Sequence, residues 1–267
     1  MFRKGRAFLE VLAITLHEDY KFPVLELFVF LLVLSTFTLM SPASFQATTF
    51  HYTKERTIYT LISAQMDIPG IPFLIFLVLV LKNIAYGFGS DFEKGTIQIF
   101  LSYPLRRSAL LTAKLISGLG IPLVMLIGVG IFALYVLLPR LVVNGITYIV
   151  ISYLAFLSYG LLVTAIILLS VIYLKKSGAP LAVGISFCFL RIIARELLDF
   201  YVKATKRTTP LKILSIFDPS LALRYYCERT IWSPSFSEVM GYTIVSYCLV
   251  FGLFLIAYYY FSRRLNI

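Results

Sequence analysis

The residues of this chain that could do chemistry gather between Asp91 and Lys114, which read DFEKGTIQIFLSYPLRRSALLTAK. This is the longest polar-rich run on its side of two long apolar segments. Its order is specific: Asp91 and Glu93 precede Gly95 and Thr96, an apolar run from Ile97 to Leu101 ends at Ser102 and Pro104, and Arg106, Arg107 and Lys114 follow. Acids at the start of a short helix complement its N-terminal dipole, and a proline stops or bends the chain. Ile97, Phe100 and Leu101 stand at i, i+3 and i+4, which gives that helix one apolar face. The chemistry implied is adhesion: a short helix lying across a membrane surface and offering its apolar face to something soluble. Catalysis is not expected. The chain has no Gly-x-x-x-x-Gly-Lys-Ser/Thr loop to cradle nucleotide phosphates, no Ser/His/Asp or Cys/His constellation and no dense set of metal ligands. Cys188, Cys227 and Cys248 show no CxxC spacing, and His17 and His51 are far apart and read as solvated or interfacial.

The elements that must position this run are membrane spans. Hydrophobic residues make up 60% of the 267 and charged ones 14%, more apolar surface than a soluble domain of this size can hide. Mean hydropathy is +0.89. The fold class expected is an all-α polytopic membrane protein, with residues 1–267 as a single transmembrane domain. No cleavable signal peptide is expected, because charge and apolar residues mix through the first twenty positions. Residues 1–21 carry Arg3, Lys4 and Arg6, then an apolar stripe of Phe8, Val11, Leu12 and Leu16, the pattern of an amphipathic helix in the interface plane. Six spans are expected at 22–40, 71–89, 109–138, 146–174, 179–199 and 241–261, each near the length a bilayer core needs. Residues 41–70 are expected to form a polar loop and 139–145 a short turn. Lys82 and Asn83 fall in the second half of the second span, where Lys82 is either functional or snorkels to the headgroups. The fifth span is abnormal, because Arg191, Arg195, Glu196 and Asp199 enter it early. Arg195 and Asp199 stand i, i+4 and are expected to pair; Arg191 is read as pairing with Glu196 or Asp199, with lining a transport path as the alternative.

Charge sets the orientation. The net charge of +11 is read as a topology signal and an attraction to anionic lipid, and no basic recognition helix or aromatic-basic RNA motif points to nucleic acid. Arg3, Lys4, Arg6, Lys21, Lys94, Arg106, Arg107, Lys114, Lys175, Lys176, Arg263 and Arg264 fall on one side of the six-span arrangement, which puts both termini in the cytoplasm. The basic stretch 200–240 contradicts this bias if it lies outside.

The run at 91–114 resembles the acid-x-acid-x-Gly-Thr … Leu-Ser-x-Pro-x-x-Arg … Lys segment of permeases of ABC exporters of the second type. Asp91, Glu93, Gly95, Thr96, Leu101, Ser102, Pro104, Arg107 and Lys114 match it; Phe100 stands where leucine is usual, and Asp91 where glutamate is usual. The resemblance implies a coupling helix at 91–103 seated on a separate ABC ATPase, an N-terminal connecting helix beside it, and short re-entrant helices within 200–240 on the outer side. It also implies a second permease copy or homologue, since a two-fold ATPase pair needs a two-fold membrane partner. The chain itself would bind no cofactor; ATP and magnesium would belong to the partner ATPase. Ile97, Phe100 and Leu101 would anchor in the ATPase groove, with Glu93, Arg106 and Arg107 as polar rim, and Arg191, Arg195 and Glu196 would stand near the pathway or gate. The competing function class is an ATP-independent secondary transporter or channel, which would call for buried acid pairs or matching interrupted helices. An integral-membrane enzyme lacks a catalytic set.

Overall fold

The computed structural model describes residues 2–49, 71–102, 105–137, 139–228 and 232–263, and among them every regular element is a helix. Helix α1 spans Phe2–Asp19 and α2 spans Val24–Thr49. Helix α3 runs Ile71–Glu93, and α4 is the short Thr96–Ser102. Helix α5 runs Arg107–Leu137, α6 spans Pro139–Leu174 and α7 spans Gly178–Thr205. Two short helices, α8 (Thr209–Phe217) and α9 (Pro219–Glu228), precede α10 (Phe236–Arg263).

Among the described residues four helices are long and apolar enough to cross a membrane: α3, α5, the Ile146–Leu174 part of α6, and α10. A fifth crossing is counted if α1 and α2, bent by 67° at their junction, form one span. Helix α7, which holds Arg191, Arg195, Glu196 and Asp199, is not among them.

Helices α3 and α6 form the centre. Their most apolar windows are 67% and 78% buried, against 33% for α5 and 22% for α10. Phe73, Phe76, Val80, Ile84 and Phe88, three or four residues apart on α3, meet Val163, Ile167 and Val171 of α6 in one core. Outward, α5 exposes Val124, Phe132 and Tyr135, and α10 exposes Ile244, Phe251 and Ile256. A continuous apolar exterior of this kind suits lipid or another apolar protein surface.

Two local expectations are corrected. The chain stays helical through Pro42 to Thr49, so the polar loop does not begin at Ser41. Residues 139–145 are the start of α6 and not a turn; Pro139 occupies its first position, where the missing N–H costs nothing. The α1 stripe behaves as read: Val11 is fully buried, and Phe8 and Leu12 pack on the core while His17 stays exposed. Residues 50–70, with Lys54, Arg56 and Asp67, lie outside the described part of the chain.

One end of the bundle collects the connections. Phe88 and Phe92 at the end of α3 pack tilted and edge-on, respectively, against Phe261 at the end of α10, with ring centroids 6.0 and 6.5 Å apart. Glu93 reaches Ser177 at the start of α7. Tyr20, just past α1, bonds to α5 at Ser117. The basic residues Lys94, Arg106, Lys114, Lys176 and Arg263 therefore share this end.

Candidate functional site

The run between α3 and α5 is a strap across that end. Helix α3 ends at Glu93, and the chain turns at Gly95, whose φ of +73° is the left-handed region that a side chain disfavours. The Lys94 amide donates to the Ser90 carbonyl (2.9 Å) and the Gly95 amide to that of Phe92 (3.2 Å), closing α3 before α4 begins at Thr96. Helix α4 lies inward-side down. Ile97 and Phe100 are 1% and 5% exposed and belong to the main core, with Leu101 packed partly buried against it. The expectation that this apolar face is offered to a soluble partner is thus corrected: the chain's own core covers it. What α4 presents outward is Ile99, 64% exposed, between the exposed Gln98 and Ser102. An i, i+3, i+4 pattern reveals an apolar face without saying what covers it.

A buried ion pair ties the strap shut. Lys114 Nζ lies 2.6 Å from Asp91 Oδ2, with the two side chains 8% and 13% exposed, and 3.7 Å from Glu18 of α1. The same ammonium sits 4.9 Å from the centre of the Phe100 ring, a cation–π contact strengthened by the lack of water. Asp91, Phe100 and Lys114, singled out separately in the sequence, thus form one unit joining both ends of the strap.

Below it, α3 and α5 each widen into π-helical turns, at Leu81–Phe88 and Ile116–Gly120. Such turns break the regular backbone register and often accompany functional sites. Their polar residues receive the end of α1. Ser117 Oγ donates to the Asp19 carboxylate, Lys82 Nζ donates to the Asp19 carbonyl, and Tyr20 Oη donates to the Ser117 carbonyl at 2.7 Å. Asn83 Nδ2 donates in turn to Tyr20 Oη at 3.0 Å. Lys82 therefore docks the end of α1.

Glu93 is exposed at the strap's edge, where its carboxylate accepts from the Ser177 amide and hydroxyl, both at 3.0 Å. It thereby receives donors at the open N-terminus of α7. Gly89 permits the approach: a Cβ there would stand 2.7 Å from both the Lys176 carbonyl oxygen and Ser177 Cα, backbone atoms that cannot step aside alone. Gly89→Ala is expected to push the 175–177 connection away and break both Glu93 bonds. Thermal unfolding in detergent should show Gly89→Ala less stable than the parent by about 1–3 kcal/mol, the usual cost of overpacking a close approach. Thr96 is partly buried, Arg106 and Arg107 are exposed, and Pro104 lies outside the described residues.

The second expected cluster is reorganised. Arg191 pairs with neither Glu196 nor Asp199. It forms a two-pronged salt bridge to Asp218, Nε to Oδ2 at 2.7 Å and Nη2 to Oδ1 at 3.2 Å, and also donates to Ser220 at 2.9 Å. Its guanidinium lies 4.5 to 5.8 Å from the rings of Tyr159, Phe156 and Phe73. A planar fork and a stackable face explain why arginine suits this cage. Asp218 sits between α8 and α9, and Arg191 is near the middle of α7, so the two short helices fold back along about half the length of α7. The expected Arg195–Asp199 pair is absent. Asp199 accepts from Tyr225 Oη and lies 4.0 Å from Arg224, while Glu196 faces out.

The participants that sequence reading missed are Glu18, Asp19, Tyr20, Ser117, Ser177 and Asp218. Each acts through a partner distant in sequence, and only Lys82 and Asn83, polar residues within an apolar run, hinted at the α1 dock. Among the described residues no group of three or more His, Cys, Asp or Glu could hold a metal ion. Comparison with protein-family models and with curated proteins gave no match to this chain.

Proposed function

We propose that this chain is the membrane-spanning permease subunit of an ATP-driven ABC exporter of the second type. In this reading it sits in the cell membrane with both termini in the cytoplasm, pairs with a second permease, and takes its power from separate ATPase chains. The observation that carries the reading is the strap. A short helix stands between two long apolar helices, is held rigidly to them by the Asp91–Lys114–Phe100 unit, and has α1 docked beside it through Glu18 and Asp19. A rigid strap transmits a push to α3 and α5, whereas a loose loop would absorb it. The sequence order that resembles the coupling segment falls on this element, and the shared basic end suits the cytoplasmic side. The fold-back of α8 and α9 to Arg191 supports the re-entrant reading of 200–240: non-helical backbone at membrane depth is tolerated where protein buries it. With α7 counted as a span and the α1–α2 pair crossing once, the chain has six.

The contact with the ATPase is reassigned to the outward face of α4, with Ile99 as the apolar point and Glu93, Arg106 and Arg107 around it. The test is site-directed crosslinking of the tagged chain in its native membrane. A cysteine at Ile99 should crosslink to a chain that binds azido-ATP, and a cysteine at the inward Ile97 should not. Equal labelling from both positions, or none from either, would remove the proposed seat.

A further inference from the structure

Among the described residues, Arg191, Arg195, Arg224, Asp199 and Asp218 meet where α7 passes α8 and α9, and they are unequally partnered. Asp218 gives both its oxygens to Arg191 and Ser220. Asp199 is engaged by Tyr225 and Arg224. Arg195 stands in the field of both acids and both other arginines, yet its Nε is buried with no hydrogen-bond partner among the described residues. Its neighbour Glu196 is exposed and absent from the cluster. The Arg195 guanidinium thus has no close acid among the described residues in partly buried surroundings, an arrangement that is costly unless an acceptor completes it.

We infer that Arg195 is completed from outside the chain, and that it binds a phosphate-type oxyanion carrying one negative charge. Its depth indicates the source. At 1.5 Å per residue Arg195 lies about 27 Å along α7 from Ser177. A hydrocarbon core about 30 Å thick places it near the headgroups of the leaflet remote from the strap. Ile192, Leu197 and Phe200, on the same stretch of α7, are 56%, 63% and 75% exposed, as a lipid-facing surface would be. A headgroup phosphodiester is thus the favoured ligand, and a soluble phosphate presents the same chemistry. This inference rests on α7 counted as a span, as proposed above, and not on the ATPase reading.

The chain carries its own reporter. Trp232, its one tryptophan, packs 5.9 Å from the ring of Tyr225, whose hydroxyl bonds to Asp199. The whole chain in neutral detergent is titrated with dioleoyl phosphatidylglycerol, dioleoylglycerol and inorganic phosphate, following Trp232 emission and the unfolding temperature. Phosphatidylglycerol should give a saturable change and a higher Tm, and dioleoylglycerol neither. Arg195→Gln should weaken the apparent affinity about tenfold or more while matching or exceeding the parent's lipid-free Tm, because it removes an uncompensated charge. Arg195→Lys should keep part of the response and Glu196→Gln all of it. Saturation by inorganic phosphate with the same dependence on Arg195 would support the site and assign it to a soluble oxyanion. If no titrant acts, if Arg195→Gln responds like the parent, or if it lowers Tm equally with and without lipid, Arg195 is an internal counter-ion and the inference fails.

Discussion

Asp218→Ala is expected to destabilise the chain by about 3–5 kcal/mol, the usual result of stranding one member of a buried ion pair. Asp218 is 1% exposed and holds Arg191 with two hydrogen bonds, inside a cage of Tyr159, Phe156 and Phe73. Without the carboxylate, the guanidinium would face aromatic rings and the Ser220 hydroxyl alone. The cation–π contacts are already made in the parent, so they do not offset the loss of the carboxylate. Thermal unfolding in detergent, read from Trp232 fluorescence, measures the loss. Arg191→Met combined with Asp218→Leu should recover most of it, since an apolar pair of similar volume strands no charge. A double variant no better than Asp218→Ala would show that the fold-back of α8 and α9 depends on the ion pair for more than charge balance.

Phe100→Ala and Ile99→Asp, neighbours on one short helix, are expected to fail in opposite ways. Phe100 is 5% exposed, packs in the main core and supports Lys114, so truncating it should cost about 3–5 kcal/mol and loosen the strap. Ile99 is 64% exposed and should tolerate aspartate within about 0.5 kcal/mol. Its loss should instead be functional, because it places a charge at the apolar point of the proposed ATPase seat. Unfolding temperature and ATPase capture, measured on the same two preparations, separate the roles. A stability loss for Ile99→Asp as large as that for Phe100→Ala would show that both side chains serve the core.

Much of this arrangement was legible from local pattern. The stripe Phe8, Val11, Leu12 and Leu16 placed α1, whereas the short helix expected over 91–103 begins only at Thr96, because Asp91 and Glu93 finish α3 and Gly95 turns the chain at positive φ. The apolar runs marked the long helices, with ends displaced where Pro42 and Pro139 suggested breaks inside or before helices. Direction and distance were not legible. Ile97, Phe100 and Leu101 read as a sticky face, but periodicity cannot distinguish a partner's groove from the chain's own core. Arg191 had acids within one or two turns, at Glu196 and Asp199, yet its partner came from Asp218 on another helix. Steric fit and the aromatic cage decided that pairing, and neither is written in local spacing. The docking of Asp19 and Tyr20 depends on the π-helical turns around Lys82, Asn83 and Ser117, which no composition signal announces.

If the strap seats a separate ATPase on the outward face of α4, as proposed, ATP hydrolysis must follow this chain through purification. The tagged chain, parent and Ile99→Asp, is purified from its native membrane, and hydrolysis is assayed per mole of chain. Vanadate-sensitive hydrolysis is expected with the parent and loss of about 90% or more with Ile99→Asp at unchanged Tm, the result of putting a charge into a buried apolar contact worth about 1.4 kcal/mol or more. No hydrolysis with the parent, or full hydrolysis with Ile99→Asp, would contradict the proposed seat.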